Sequence, residues 1–140
     1  MWSDQYYYLS LRPDNISSEH VKTAQIRNFL LTLPQFEQKS QFEFRNSNEF
    51  EFTTINILKI EDFDSWNSSQ VDAEFSNFIS IVTSKSPKIE FESIKNVIVP
   101  IAKFLNWKLI DEHTDDGQEN FVVWQPKKWT KAQQILSSIC

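Results

Sequence analysis

Between Tyr6 and Leu11 the chain alternates, with Tyr7, Leu9 and Leu11 set against Tyr6, Tyr8 and Ser10. A period of two predicts a half-buried strand, and Pro13-Asp14-Asn15 breaks it. A helical period follows, with Ile26, Phe29, Leu30 and Leu33 on one stripe. Ser17 or Ser18 is the expected N-cap, Glu19 suits the positive helix end, and Pro34 is the stop. Phe42 and Phe44 then alternate with Glu43 and Arg45, and Phe50 and Phe52 with Glu49 and Glu51. Asn46-Ser47-Asn48 between them can turn the chain without glycine, so the stretch predicts a hairpin whose second arm continues to Ile60. Apolar parity changes between Phe52 and Ile55, which places a bulge near Thr53-Thr54.

Residues 61–76 lose the pattern and predict a long polar loop, with a helical turn around Val71 to Phe75. Phe78 to Thr83 is a short run rich in Ile and Val and predicts a buried strand, ended by Ser84-Lys85-Ser86-Pro87. Ile94, Val97, Ile98, Ile101, Ala102 and Leu105 keep helical spacing across roughly Glu92 to Asn106. Pro100 interrupts this pattern, so the helix either kinks or divides there; the unbroken spacing favours the kink. Trp107 to Asp111 and Asn120 to Gln125 form a second hairpin around Thr114 to Gly117, and a short helix from Thr130 closes the chain. Strand pairs separated by helices predict one α+β domain over residues 1–140: a mostly antiparallel sheet with helices on one face. A split β-α-β, ferredoxin-like nucleus is the expected centre.

Composition changes this picture in two ways. There are 12 Phe and 5 Trp against 1 Gly among 140 residues, so the core is ring-rich and turns rely on Asn, Asp, Ser and Pro. Phosphate-cradling loops need several glycines for close backbone approach, which excludes Walker-type and dinucleotide fingerprints. The lone cysteine, Cys140, allows no internal disulfide and fits a reducing compartment. The first residues carry no basic stretch followed by an apolar one, and the longest apolar run, Val97 to Ala102, falls far short of the ~20 residues of a membrane span. A cytoplasmic protein without membrane association is expected. A net charge of −5 argues against nucleic acid and suits a partner with a basic surface.

Candidate chemistry is sparse. His20 and His113 lie far apart, so no zinc set forms. His20 is expected in the first helical turn, exposed. Asp111 to Gly117 resembles the start of a calcium loop, but Asp116 stands where glycine is required and Val122 where glutamate closes the loop; a charged hairpin tip is the simpler reading. His113 with Asp111 or Asp115 could serve acid–base chemistry, yet nothing places a nucleophile beside them. Pro126-Lys127-Lys128-Trp129-Thr130-Lys131 is a local basic cluster of the kind that faces solvent. No catalytic, cofactor or metal residues are assigned, and the chain is expected not to be an enzyme. The surface is different. Glu61, Asp62, Asp64, Asp72 and Glu74 surround Phe63 and Trp66, and aromatic anchors ringed by charge are the composition of an interaction patch. The alternative places both rings as lids over the core.

From Val99 to Gly117 the chain carries Ile101, Ala102, Leu105, Trp107, Leu109, Asp111 and Gly117 at a characteristic spacing. This pattern resembles that of small bacterial immunity proteins encoded beside secreted polymorphic toxins, with Asn106 where a glycine is usual. The resemblance implies an inhibitor of a cognate toxin that acts by binding and occlusion, without activity or cofactor, as a monomer or homodimer. It transfers no binding residue. The alternative is a small-ligand-binding or enzymatic α+β domain with a pocket between sheet and helix, lined by groups such as His113 or Tyr8.

Overall fold

A computed structural model describes residues 5–14, 20–48, 50–60, 70–85 and 90–126. Nine strands and two helices follow one another in these segments: β1 (Tyr6–Arg12), β2 (Val21–Lys22), α1 (Thr23–Leu30), β3 (Phe36–Gln38), β4 (Glu43–Asn46), β5 (Thr53–Leu58), β6 (Phe75–Ser76), β7 (Phe78–Ser84), α2 (Phe91–Leu105), β8 (Lys108–His113) and β9 (Glu119–Trp124). Seven strands form one sheet in the order β3-β4-β5-β7-β1-β8-β9, and β2 pairs with β6 apart from it. Every adjacent pair is antiparallel.

The alternation read from the sequence settles which face is which. Leu9 and Leu11 of β1, Ile55 and Ile57 of β5, and Ile79 and Ile81 of β7 are all fully buried on one face. Against them pack Ile26 and Leu30 of α1 and Ile94, Ile98, Ile101 and Leu105 of α2, in a single apolar cluster. Both helices thus cover the same face, and each such side chain contributes about 1.5–3 kcal/mol of burial. The other face carries Tyr8, Ser10 and Arg12 of β1, and its centre is also buried: Ser10 and Phe78 are at 0% exposure.

α2 runs through Pro100 without dividing. Proline removes the bond to the carbonyl of Asn96, and both residues are exposed, so water can reach that carbonyl. Asn106 ends the helix at φ 59, in the left-handed region. Asparagine tolerates this conformation better than other non-glycine residues. The Trp107 N–H donates to the Ala102 carbonyl at 3.0 Å and closes the last turn. Gly117, at φ 87, sits in the β8–β9 turn as expected.

Five expectations are corrected. α1 begins at Thr23 with Lys22 as N-cap, not at Ser17 or Ser18, because Val21-Lys22 is extended and paired with β6. His20 therefore precedes the helix rather than lying in its first turn. The first hairpin is shorter: Phe44 faces Ile55 and Arg45 faces Thr54, which leaves Phe50 and Phe52 in the connection. With those rings outside the strand, β5 alternates without interruption and no bulge occurs at Thr53-Thr54; the register shift lies at Leu109/Ile110 instead. Val71 to Phe75 forms no helical turn, since Phe75 is drawn into β6. The closing helix from Thr130 and the lysine cluster from Lys127 lie outside the described residues. No helix among the described residues is long and apolar enough to cross a membrane.

Candidate functional site

The expected interaction surface enters the described structure at Gln70, whose backbone bridges Lys59 in both directions, at 2.7 and 3.2 Å. Two residues later the chain turns on a carboxylate. Asp72 Oδ1 accepts the N–H groups of Phe75 and Glu74, each at 2.9 Å. These donors hold the Asp72 carboxyl below the usual carboxylate range, with Lys59 Nζ adding to the effect from 3.5 Å. The same segment is clamped from behind by the first residue of α1. The Thr23 hydroxyl donates to the Asp72 carbonyl at 2.7 Å, and the Thr23 N–H donates to the Glu74 carbonyl at 2.9 Å. Thr23 and Ser76 share a further buried hydroxyl contact at 2.6 Å.

This anchoring sets what the surface presents. Val71 and Phe75 are 52% and 38% exposed, with Glu74 exposed between them. The His20 ring lies 5.8 Å from that of Phe75. Asp72 is thus the scaffold of the segment, and Glu74 is displayed by it. Glu61, Asp62, Phe63, Asp64 and Trp66 lie outside the described residues. Val71, Phe75 and His20 were missed in the sequence, where a loop and a helix start gave no reason to join them.

A second group gathers where β8 leaves the sheet. Lys85 Nζ pairs with the Asp115 carboxylate and stands 5.0 Å from the centre of the Tyr7 ring, which also packs on Phe91. Asp111 Oδ1 accepts the His113 N–H at 3.2 Å. Burial pushes the Asp111 carboxyl up, opposed by the His113 N–H and Lys85. Burial pushes the Tyr7 hydroxyl up as well, and the negative charge of Asp115 adds to it. The fold therefore does bring His113, Asp111 and Asp115 into one neighbourhood. An open cleft of about 240 Å³ lies at the adjacent tip, lined by Thr114, Asp116, Gln118 and Phe121. None of these lining residues belongs to the apolar cluster between sheet and helices, so this cleft is not the sheet–helix pocket expected for a ligand-binding domain. No metal-binding group of His, Cys, Asp and Glu occurs among the described residues.

The third polar group is on the face away from the helices. Arg12 Nη2 contacts Glu112 Oε2 at 3.2 Å and Asn120 Oδ1 at 3.1 Å, while Arg12 Nε donates to Ser10 Oγ at 2.8 Å. Both charged side chains are buried, at 7% and 5% exposure. Burial raises the Glu112 carboxyl, and the Arg12 guanidinium opposes the rise. The clue in the sequence was phase: Arg12 falls on the Tyr6–Tyr8–Ser10 side of its strand. What it meets there depends on β8 and β9, from the opposite end of the chain.

Of the residues that carry the resemblance to immunity proteins, all but Gly117, which is exposed in the β8–β9 turn, have a packing role here. Ile101, Ala102, Leu105, Trp107 and Leu109 belong to the core cluster, and Asp111 is buried beside it. No protein-family model matches the chain, and neither a curated protein nor a solved structure matches it.

Proposed function

We propose that this chain is a non-catalytic protein-binding module, cytoplasmic, and of the immunity or antitoxin kind, which neutralises a cognate toxin by occluding it. The observation that carries the reading is the anchored segment from Val71 to Phe75, where two exposed apolar side chains flank an acidic one on a backbone held by Asp72 and Thr23. A pre-ordered apolar contact beside negative charge lowers the cost of binding and favours a basic partner. Glu61, Asp62, Phe63, Asp64 and Trp66 precede this segment directly in sequence and extend its acidic and aromatic character. The Val99–Gly117 pattern supports the immunity assignment through the resemblance alone.

At the centre of the sheet we read a ferredoxin-like nucleus. The strand order β5-β7-β1-β8, with α1 between β1 and β5 and α2 between β7 and β8, supports it. The β3–β4 pair and β9 are then additions at the two edges.

Affinity capture from the native host with tagged protein tests the functional reading. The wild type is expected to retain a stable partner, the product of the adjacent open reading frame being the first candidate. A Glu74→Lys/Phe75→Lys double variant should lose it. Recovery of no stable partner by the wild type overturns the reading.

The meeting of Tyr7, Lys85, Asp111, His113 and Asp115 favours a second reading, a small-ligand or enzymatic site at the open end of β8. That reading requires a ligand whose binding shifts the His113 ring signals in a titration followed by NMR; a ligand set that leaves them unmoved discards it.

A further inference from the structure

The two edges of the seven-stranded sheet are built differently. β3 is three residues long, preceded by Pro34 and followed by Lys39, which pairs with Glu37 of the strand itself at 3.6 Å. Shortness, proline and charge are the usual guards against strand addition. β9 is six residues long and contains no lysine, arginine or proline; its irregularities are a left-handed Asn120 at φ 53 and the register shift against β8 at Leu109/Ile110, and Phe121 and Val122 lie between the two. Phe121 and Val122 on it are 48% and 41% exposed. Their cross-strand partners are Asp111 and Ile110, so the two side chains stand on opposite faces of the edge. Among the described residues β9 pairs with β8 alone. Half of its backbone N–H and C=O groups therefore face outward, as on any edge strand.

The edge also has a charged end. Glu119 begins the strand, and Asp115 and Asp116 lie in the turn just before it. Asp115 is paired with Lys85, and Thr114 and Gln118 hold the Asp116 side chain in place. Glu119 is left exposed at the start of β9.

We infer that the β9 edge docks an extended segment of a partner protein as an eighth, antiparallel strand, with apolar side chains at alternate positions and lysine or arginine at its C-terminal end. Antiparallel addition continues the pairing of the whole sheet and brings that C-terminal end beside Glu119 and the acidic tip. Main-chain bonds supply affinity in this mode, Phe121 and Val122 supply flanking apolar contact on both faces, and the acidic end fixes register and direction. The surface is distinct from the Val71–Phe75 segment, which is joined to β5 and β7 on the other side of β1. The inference thus goes beyond the binding function proposed above.

Titration of the full-length, ¹⁵N-labelled chain tests it. The probe is a short capped peptide that alternates valine and threonine and ends in two arginines. Shifts are expected to centre on the amides of Phe121, Val122 and Val123. Methylating alternate peptide nitrogens, ending the peptide in two glutamates, or introducing Glu119→Lys should each weaken binding by about tenfold or more. The methylated peptide leaves the protein untouched, so its result does not depend on how a variant folds. Equal binding by the methylated peptide, shifts centred elsewhere, or no saturation at millimolar peptide would overturn the inference. The two proposals separate in the capture experiment. A partner retained by Phe121→Lys but lost by Glu74→Lys/Phe75→Lys supports the binding module and overturns the edge. Peptide pairing at β9 with no partner captured does the opposite.

Discussion

Arg12 and Glu112 are the most consequential pair at the scale of single residues. Each has left water, and each is compensated by the other with Ser10 and Asn120 completing the guanidinium contacts. Removing one partner leaves a buried charge behind, which costs about 3–5 kcal/mol, whereas replacing both by apolar groups is often neutral. Glu112→Ala should therefore lower stability by that amount in urea denaturation. Arg12→Met combined with Glu112→Leu should recover most of it; a double variant as unstable as the single would contradict the account. Asp111 gives a pH signature. Burial raises its folded-state value above the ordinary 3.8, so the folded chain holds a proton over a range where the unfolded chain has released it. Its contribution is fully present below 3.8 and is lost as pH rises through the folded value. Asp111→Asn, which keeps an acceptor for the His113 N–H, should flatten that decline and be more stable than the wild type at neutral pH. Urea midpoints measured from pH 4 to pH 8 decide the point.

Among the elements, α2 carries a cost that its packing outweighs. Its buried stripe of Ile94, Ile98, Ile101 and Leu105 holds it against the sheet across Pro100. An interior proline is about 3 kcal/mol less favourable than alanine, less what it saves by restricting the unfolded chain. Pro100 is exposed, so Pro100→Ala disturbs no packing and should raise stability by about 1–3 kcal/mol, read as a higher thermal midpoint. The small β2–β6 pair works differently. It has two residues in each strand and gains its definition from Thr23, which ties α1 to Asp72, Glu74 and Ser76. That joint orders the segment proposed to bind a partner.

At the scale of the molecule, one apolar cluster draws on both helices and on six of the seven strands of the large sheet, from Phe36 of β3 to Leu109 of β8. A shared core of this kind unfolds as a unit. Tryptophan fluorescence and far-ultraviolet circular dichroism should give coincident urea transitions. Separate midpoints would instead divide the chain into independently folding parts. Among the described residues the same sheet ends in a short, charged strand at β3 and in a longer one, paired on one side alone, at β9, an asymmetry that exists only once strand order is known.

Much of this architecture was legible because local pattern and burial agree. The alternation of Tyr7, Leu9 and Leu11, the Ile and Val run from Phe78, and the spacing of Ile94 to Leu105 each record a buried face, and Gly117 and Asn106 mark positions that need left-handed backbone. These features depend on neighbours a few residues away, so the sequence by itself determined them, together with the α+β class. It could not determine what non-local pairing decides. Val21-Lys22 is extended because Phe75-Ser76 lies beside it, and Phe50 and Phe52 leave the strand because the register of Phe44 with Ile55 is fixed by the core. Arg12 meets Glu112 only through the adjacency of β1 and β8. For the candidate surface, the sequence supplied the acidic residues, but only tertiary structure separated their roles. Asp72 is held by backbone donors, while Glu74 faces solvent between Val71 and Phe75, because one threonine at the start of a helix closes the turn from behind.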